Sequence, residues 1–285
     1  MTGILISGTV FQFWGERLSQ SATRRSLDIL ELLSEAPDGL PLSDIGTRLR
    51  IPKSVAYRLL GLLADCGFVR QDAATARYGL TIKLTLLGLR HYAGTGLKDL
   101  IQPVLDRLAV STGELVRVAI VEGKGMVWVA KAQGARFGLK YDPDTGHDVV
   151  LHATATGKAW LSTLPEDEAL RIVSATRFRT PSRFGPNAVR TLKEFRRALA
   201  ETRARGYGVA IEEGEPGTAA VAVPVRVGST TVATLSAAGP VSRFTPAQRA
   251  TLARHLSGAA SELAAIWPVR QPPIEAAREA IQHVV

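Results

Sequence analysis

The sequence predicts a two-domain α+β protein, with a small N-terminal helical unit ending in a hairpin and a larger C-terminal unit built on an antiparallel sheet. Three observations predict it. The chain of 285 residues is longer than a single core usually serves. Residues 21–82 read as three short helices joined by tight turns, followed by two short strands. Beyond them, β-rich stretches alternate with amphipathic helices, and strands bracketing helices in that order favour a sheet with helices packed on it. Hydrophobic residues make up 46% and charged residues 21%, ordinary globular values that leave enough apolar surface for real cores.

Residues 1–20 are set apart as an N-terminal arm. Their apolar opening, Met1 to Trp14, is shorter than the ~20 residues a bilayer span needs and has no basic residue ahead of it. It is read as neither signal nor anchor; a flexible arm and translated sequence upstream of the natural start both stay open. From Ser21 the texture changes. Thr23 can cap a first helix in which Leu27, Leu30 and Leu33 recur at helical spacing until Pro37-Asp38-Gly39 ends it. Leu42 to Leu49 forms a second helix with Leu42, Ile45 and Leu49 on one face, and Pro52 opens a third that runs to Cys66 and stops at Gly67. Phe68 to Gln71 and Arg77 to Leu80 pair as a wing.

A linker helix covers residues 83–96, with Gly94-Thr95-Gly96 as the boundary, and residues 97–267 form the second domain. Within it, Leu115 to Val121 and Met126 to Ala132 make a hairpin around Glu122-Gly123-Lys124-Gly125. Thr154 to Leu161, Glu166 to Ser174 and Leu192 to Arg205 read as helices. Val209 to Ile211, Ala219 to Val227 and Thr231 to Ala237 read as strands, and Pro246 to Trp267 as a closing helix. Residues 268–285 are a tail.

The third helix carries the sharpest functional signal. At 100° per residue, Ala56, Leu59, Leu60 and Leu63 cluster on one face, while Ser54, Tyr57, Arg58 and Gly61 share the other. That free face, with Lys53 at its entrance, offers a hydroxyl, an aromatic ring and a guanidinium, groups able to reach phosphates and base edges in a major groove. Between Ile45 and Arg90 eight basic residues, including Arg50, Arg70 and Arg77, face two acids, Asp65 and Asp72, a surface whose DNA binding is strongly salt-dependent. The net charge of +9 points the same way. A solvated amphipathic helix could show a similar face alone; the helix order, tight turn and wing together favour double-stranded DNA. Arg58→Ala is expected to lower specific binding more than non-specific binding, and Arg77→Ala to weaken both.

The stretches Leu27-Asp28-Ile29-Leu30-Glu31-Leu32-Leu33, Ile51-Pro52-Lys53-Ser54-Val55-Ala56-Tyr57-Arg58-Leu59-Leu60 and Gly67-Phe68-Val69 resemble the winged helix of IclR-type transcription regulators. His152-Ala153-Thr154-Ala155-Thr156-Gly157-Lys158-Ala159, Gly206-Tyr207, Glu212-Glu213 through Pro216-Gly217, and Ser236-Ala237-Ala238-Gly239-Pro240 resemble that family's effector domain. The resemblance implies a dimerising winged helix, a linker helix and a GAF-like domain that binds a small organic acid. The function it implies is a cytoplasmic repressor, homodimeric or a dimer of dimers, without cofactor or membrane. Effector residues expected on this basis are Tyr141, Ala155, Thr156, Gly157, Ala210, Ala220, Ser236 and Ala238. Residue chemistry adds a reason: free N–H groups near Ala155 and Thr156 at a helix start suit a carboxylate, Gly157 allows close approach, and Lys158 adds positive charge. Where members with small oxo-acid effectors tend to carry an aspartate, a cysteine and a second serine, this chain has Ala210, Ala220 and Ala238. That should enlarge the site and make it more apolar, favouring a bulkier, aromatic acid near Tyr141 and Trp128.

Two rival readings are an enzyme acting on a small carboxylate and a DNA-binding protein without ligand control. The five histidines, His91, His147, His152, His255 and His283, show no metal-ligand spacing. His147 and His152, five apart, could form a metal pair or a base, and Glu212, Glu213 and Glu215 could serve acid–base chemistry. The expectation is instead a polar rim and a helix-entry hydrogen bond for the histidines and a solvated loop for the glutamates. No serine occupies a G-x-S-x-G elbow. The single cysteine, Cys66, allows no disulfide within the chain and is expected as a small buried residue.

Overall fold

The computed structural model describes residues 21–94, 96–143, 149–175 and 184–267. The N-terminal arm, His147, and the tail after Trp267 with His283 lie outside the described residues. Contacts divide the chain between residues 95 and 96 into two units.

The first unit holds α1 (Ala22–Ser34), α2 (Leu42–Leu49), α3 (Lys53–Asp65), β1 (Val69–Gln71), β2 (Tyr78–Leu80) and α4 (Lys83–Gly94). Ser21, not Thr23, caps α1: its backbone is extended and its hydroxyl accepts from the Arg24 N–H at 3.2 Å. Starting the helix there turns Ile29 and Leu33 into the core, and Leu27 is left 51% exposed. The turn between α2 and α3 closes through Arg50, whose φ of 54° is a left-handed conformation more usual for glycine. Ile51 N–H then reaches back to the Gly46 carbonyl at 3.0 Å, and Pro52 starts α3. Ile29, Leu33, Ile45, Ala56, Leu59, Leu60 and Val69 share one core. Leu40 bridges to Tyr78, extending the β1–β2 hairpin. Gly39, at φ 70°, permits this, because a Cβ there would stand 2.7 Å from the Tyr78 carbonyl oxygen. Cys66 ends α3 exposed, correcting the expectation of burial; it falls on the solvent side of the last turn.

The second unit holds α5 (Leu97–Thr112), β3 (Leu115–Glu122), β4 (Gly125–Gln133), α6 (Ala155–Leu161), α7 (Glu166–Ala175), α8 (Leu192–Arg205), β5 (Gly208–Ile211), β6 (Thr218–Val227), β7 (Thr230–Pro240) and α9 (Pro246–Ile266). Five antiparallel strands run in the order β4-β3-β7-β6-β5. The α+β class with an antiparallel sheet is therefore borne out. Every β7 residue from Ala233 to Pro240 is buried, so both faces of the sheet are covered. Helices α5 and α9 pack together on the sheet, and α6, backed by α8, packs on β5, β6 and β7. Capping boxes at Thr191/Glu194 and Thr245/Gln248 set the starts of α8 and α9.

The register aligns Ala210 with Ala220 and Ala238, and Ala222 with Ser236 and Arg117. Because successive side chains alternate between faces, these residues share one side of the sheet, and α6 lies over it. Small residues let it come close: Ala155, Ala159, Ala210 and Ala222 form one cluster, and a Cβ on Gly208 would meet the Ala155 carbonyl oxygen at 2.2 Å.

Candidate functional site

Two candidate surfaces arise, one in each unit. On α3, Ala56, Leu59, Leu60 and Leu63 are buried at the positions the periodicity predicts, and Lys53, Ser54, Tyr57 and Arg58 are exposed, Tyr57 by 63%. A helix with one packed face can present the other to a partner without disturbing its core. Arg50 is exposed in the preceding turn and Arg70 on β1. Arg77 is half-buried, and its Nη1 donates to the Gly39 carbonyl at 3.0 Å, so it braces the base of the wing as well as adding charge. At the wing tip, Asp72 Oδ1 accepts from the Ala74 and Thr75 N–H groups at 3.1 and 2.8 Å. The Thr75 N–H above all, then its hydroxyl, holds the Asp72 carboxyl below its ordinary pKa.

The second surface is a cavity of 50 Å³ in the other unit, walled by the start of α6 and the near face of the sheet. Tyr141, Ala155, Thr156, Ala210, Ala220, Ser236 and Ala238 all line it. Gly157 faces away: a Cβ there would stand 2.3 Å from the Leu151 Cα, so its bareness serves the preceding loop and not a ligand. The Thr154 hydroxyl accepts the Gly157 N–H at 3.0 Å, leaving the N–H groups of Ala155 and Thr156 outside the helical ladder.

Several charges are placed otherwise than expected. Lys158 is buried, and its ammonium donates to both Glu213 carboxylate oxygens at 2.5 and 2.6 Å and to the Val209 carbonyl at 3.0 Å. It stands behind the cavity wall and neutralises Glu213, which is buried and not on a solvated loop. Burial pushes the Lys158 pKa down and the Glu213 pKa up, each opposed by the partner's charge. His152 is buried, not at a rim, with its ring edge-on to Phe184 at 6.0 Å. Desolvation, and then the charge of Lys158, lower its pKa to about 4, so it is neutral at pH 7.

Sequence reasoning missed Arg117. It lies on β3, is 8% exposed and lines the cavity. Its guanidinium carbon sits 3.6 Å from the centroid of the Trp128 ring and 5.9 Å from that of Tyr141. Its signal was in view as the only charge in the apolar run Leu115 to Val121. The expectation of a roomier, more apolar site is corrected in part. Three alanines floor the cavity and Tyr141 and Trp128 line it, as expected, yet Arg117 adds a charge and 50 Å³ holds only a few waters.

The description "Bacterial transcriptional regulator IclR C-terminal" fits residues 91–265, and "IclR helix-turn-helix domain" fits residues 22–73. The chain belongs to the IclR family. The HTH-type transcriptional repressor AllR of Klebsiella pneumoniae is 32% identical over 227 residues, 79% of this chain and 82% of that protein. An IclR transcriptional regulator structure from Silicibacter sp. TM1040 matches with a TM-score of 0.74 at 24% identity, covering 89% of this chain and 98% of that one. An IclR homologue from Microbacterium hydrocarbonoxydans, solved with 4-hydroxybenzoate, matches with a TM-score of 0.68 at 23% identity, covering 86% of this chain and all of that one. These two likenesses show the fold. As an IclR regulator with its helix-turn-helix intact, the chain is a DNA-binding transcription regulator. Among the described residues no cluster of three or more His, Cys, Asp or Glu could hold a metal ion, and no helix is long and apolar enough to cross a membrane.

Proposed function

We propose that this IclR-family protein is a cytoplasmic transcriptional repressor whose operator binding changes when a small organic acid enters the cavity beneath α6. The observation that carries the reading is the pairing of features within one chain: a recognition helix with one face packed and the other free, and a separate unit that buries a cation at a cavity wall. In this reading Ser54, Tyr57 and Arg58 contact base edges, while Arg50, Lys53, Arg70 and Arg77 contact phosphates. The effector is held among Tyr141, Thr156, Ser236 and the small residues Ala155, Ala210, Ala220 and Ala238. Gly157 positions the start of α6.

A two-fold dimer fits the recognition geometry, with half-sites about one helical turn or a multiple of it apart. Helix α4 supports that arrangement, because Leu84, Leu86, Leu87 and Leu89 stand 39–57% exposed along it, apolar surface that a second copy would cover. Effector binding then shifts the population of dimer geometries and with it the spacing of the two α3 helices. Support from relatives is the repressor role in the name of AllR and the 4-hydroxybenzoate bound by the Microbacterium protein.

The test is binding of the purified protein to its own upstream region, titrated with salt and with aliphatic and aromatic acids. Salt-sensitive, sequence-selective binding that an acid weakens is the expected result. Equal binding to random DNA at every acid concentration would overturn the reading.

A further inference from the structure

The cavity carries one cation, Arg117, that no carboxylate pairs with among the described residues, although Tyr141 hydrogen-bonds to it. Near Arg117 stand three carboxylates. Glu213 is taken by Lys158, and Asp142 is taken by Lys131 at 2.8 Å. Glu215 acts on Arg117 only through its field, without an ion pair among the described residues. The Arg117 Nε is buried and has no hydrogen-bond partner among the described residues. Burial, the largest influence, lowers the guanidinium's pKa, opposed first by Tyr141; arginine nonetheless stays cationic at any physiological pH.

A buried cation without a carboxylate partner is costly unless a counter-charge arrives. The Trp128 ring offsets part of that cost by cation–π contact and holds the guanidinium flat against it. The guanidinium already shares a hydrogen bond with Tyr141, and its unpartnered Nε–H is the donor left for a carboxylate, which a planar guanidinium can engage through parallel N–H groups.

We propose that Arg117, stacked on Trp128, is the carboxylate-binding residue of the cavity and selects planar monocarboxylates over their neutral analogues. The inference rests on the effector reading above and adds to it a residue and a ligand class. With only 50 Å³ open, an aromatic acid enters as Trp128 or Tyr141 shifts, so a change in Trp128 emission accompanies binding. Two alternatives predict otherwise: a purely packing role for the Arg117–Trp128 stack, and recognition by backbone donors alone.

The experiment measures binding of benzoate, 4-hydroxybenzoate and pyruvate, and of benzamide as the neutral analogue, to the full chain by calorimetry and tryptophan fluorescence. Wild type is expected to bind at least one acid, and benzamide about tenfold or more weakly than benzoate. Arg117→Gln should weaken the acid about 30-fold or more, and Arg117→Lys should fall between, because charge without the fork restores part of the contact. Cooperative thermal unfolding of both variants, followed by circular dichroism, shows that they fold. Acid binding unchanged in Arg117→Gln would overturn the Arg117 assignment while leaving the regulator reading intact. If Arg117→Gln does not fold, equal affinity of wild type for benzoate and benzamide overturns it instead. Binding of none of the acids would overturn both the assignment and the effector reading, with salt-sensitive operator binding then the surviving part.

Discussion

Replacing Lys158 by Met should destabilise the protein by about 3–5 kcal/mol at pH 7, the usual cost of stranding one member of a buried pair. The size follows from the geometry. The Lys158 side chain is 4% exposed and that of Glu213 11%, and the ammonium answers both carboxylate oxygens and the Val209 carbonyl. Without the ammonium, Glu213 escapes charge burial by taking up a proton. Holding it protonated at pH 7, against an unfolded value near the ordinary 4.5, costs about 3 kcal/mol. Loss of the Val209 partner and of lysine packing adds about 1–2 kcal/mol.

The pH dependence has a definite sign. A carboxyl whose folded pKa is raised above its unfolded value favours the folded state below the unfolded pKa, and that advantage disappears as pH rises through the folded pKa. The cost of Lys158→Met should therefore shrink by about 2–3 kcal/mol between pH 7 and pH 5. Adding Glu213→Gln should recover about 2 kcal/mol at pH 7 and flatten the dependence. The assay is urea unfolding of the wild type and the two variants at both pH values, compared at matched pH so that other titrations cancel. A cost under about 1 kcal/mol at pH 7, or one that does not change with pH, would refute the claim that Lys158 neutralises a buried Glu213.

On α3, Arg58→Ala should cost about 1–3 kcal/mol on operator DNA and much less on random DNA, whereas Lys53→Ala should weaken both and reduce the salt slope by about 1; gel-shift titrations against salt decide it. His152, neutral when folded with a pKa of about 4 against 6.5, makes stability full above pH 6.5 and progressively lost as pH falls toward 4, by about 3 kcal/mol. His152→Gln should remove that part of the acid loss, and an unchanged acid midpoint would count against it. Gly208→Ala forces a Cβ to within 2.2 Å of the Ala155 carbonyl oxygen, so it should cost about 1–3 kcal/mol and weaken acid binding by moving α6; a melting temperature within a degree of wild type would contradict the close packing.

Much of the architecture was legible in the chain because it is written at short range. Helix α8 spans the residues expected of it, Leu192 to Arg205. The packed face of α3 follows from a 3.6-residue period alone. The helix order, the wing and the alternating strands then gave the α+β class and pointed to DNA. Seven of the eight residues chosen for the effector site line one cavity, and the exception, Gly157, is explained by the loop that presses on it.

Partners distant in sequence were not legible, and there the tertiary structure decided. Lys158 reads as a free charge at a helix start until the fold sets it beside Glu213, 55 positions on. Arg117 reads as one more strand residue until the sheet register puts it beneath α6 and against Trp128. The burial of His152 and the exposure of Leu27 and Cys66 were settled in the same way. By itself the sequence determined where helices and strands form and which face of each is apolar, since both depend on neighbours within a turn or two. Only the tertiary structure decided which charges are paired and which one is left facing a cavity, since solvation and Coulomb energy depend on distance through space and not along the chain.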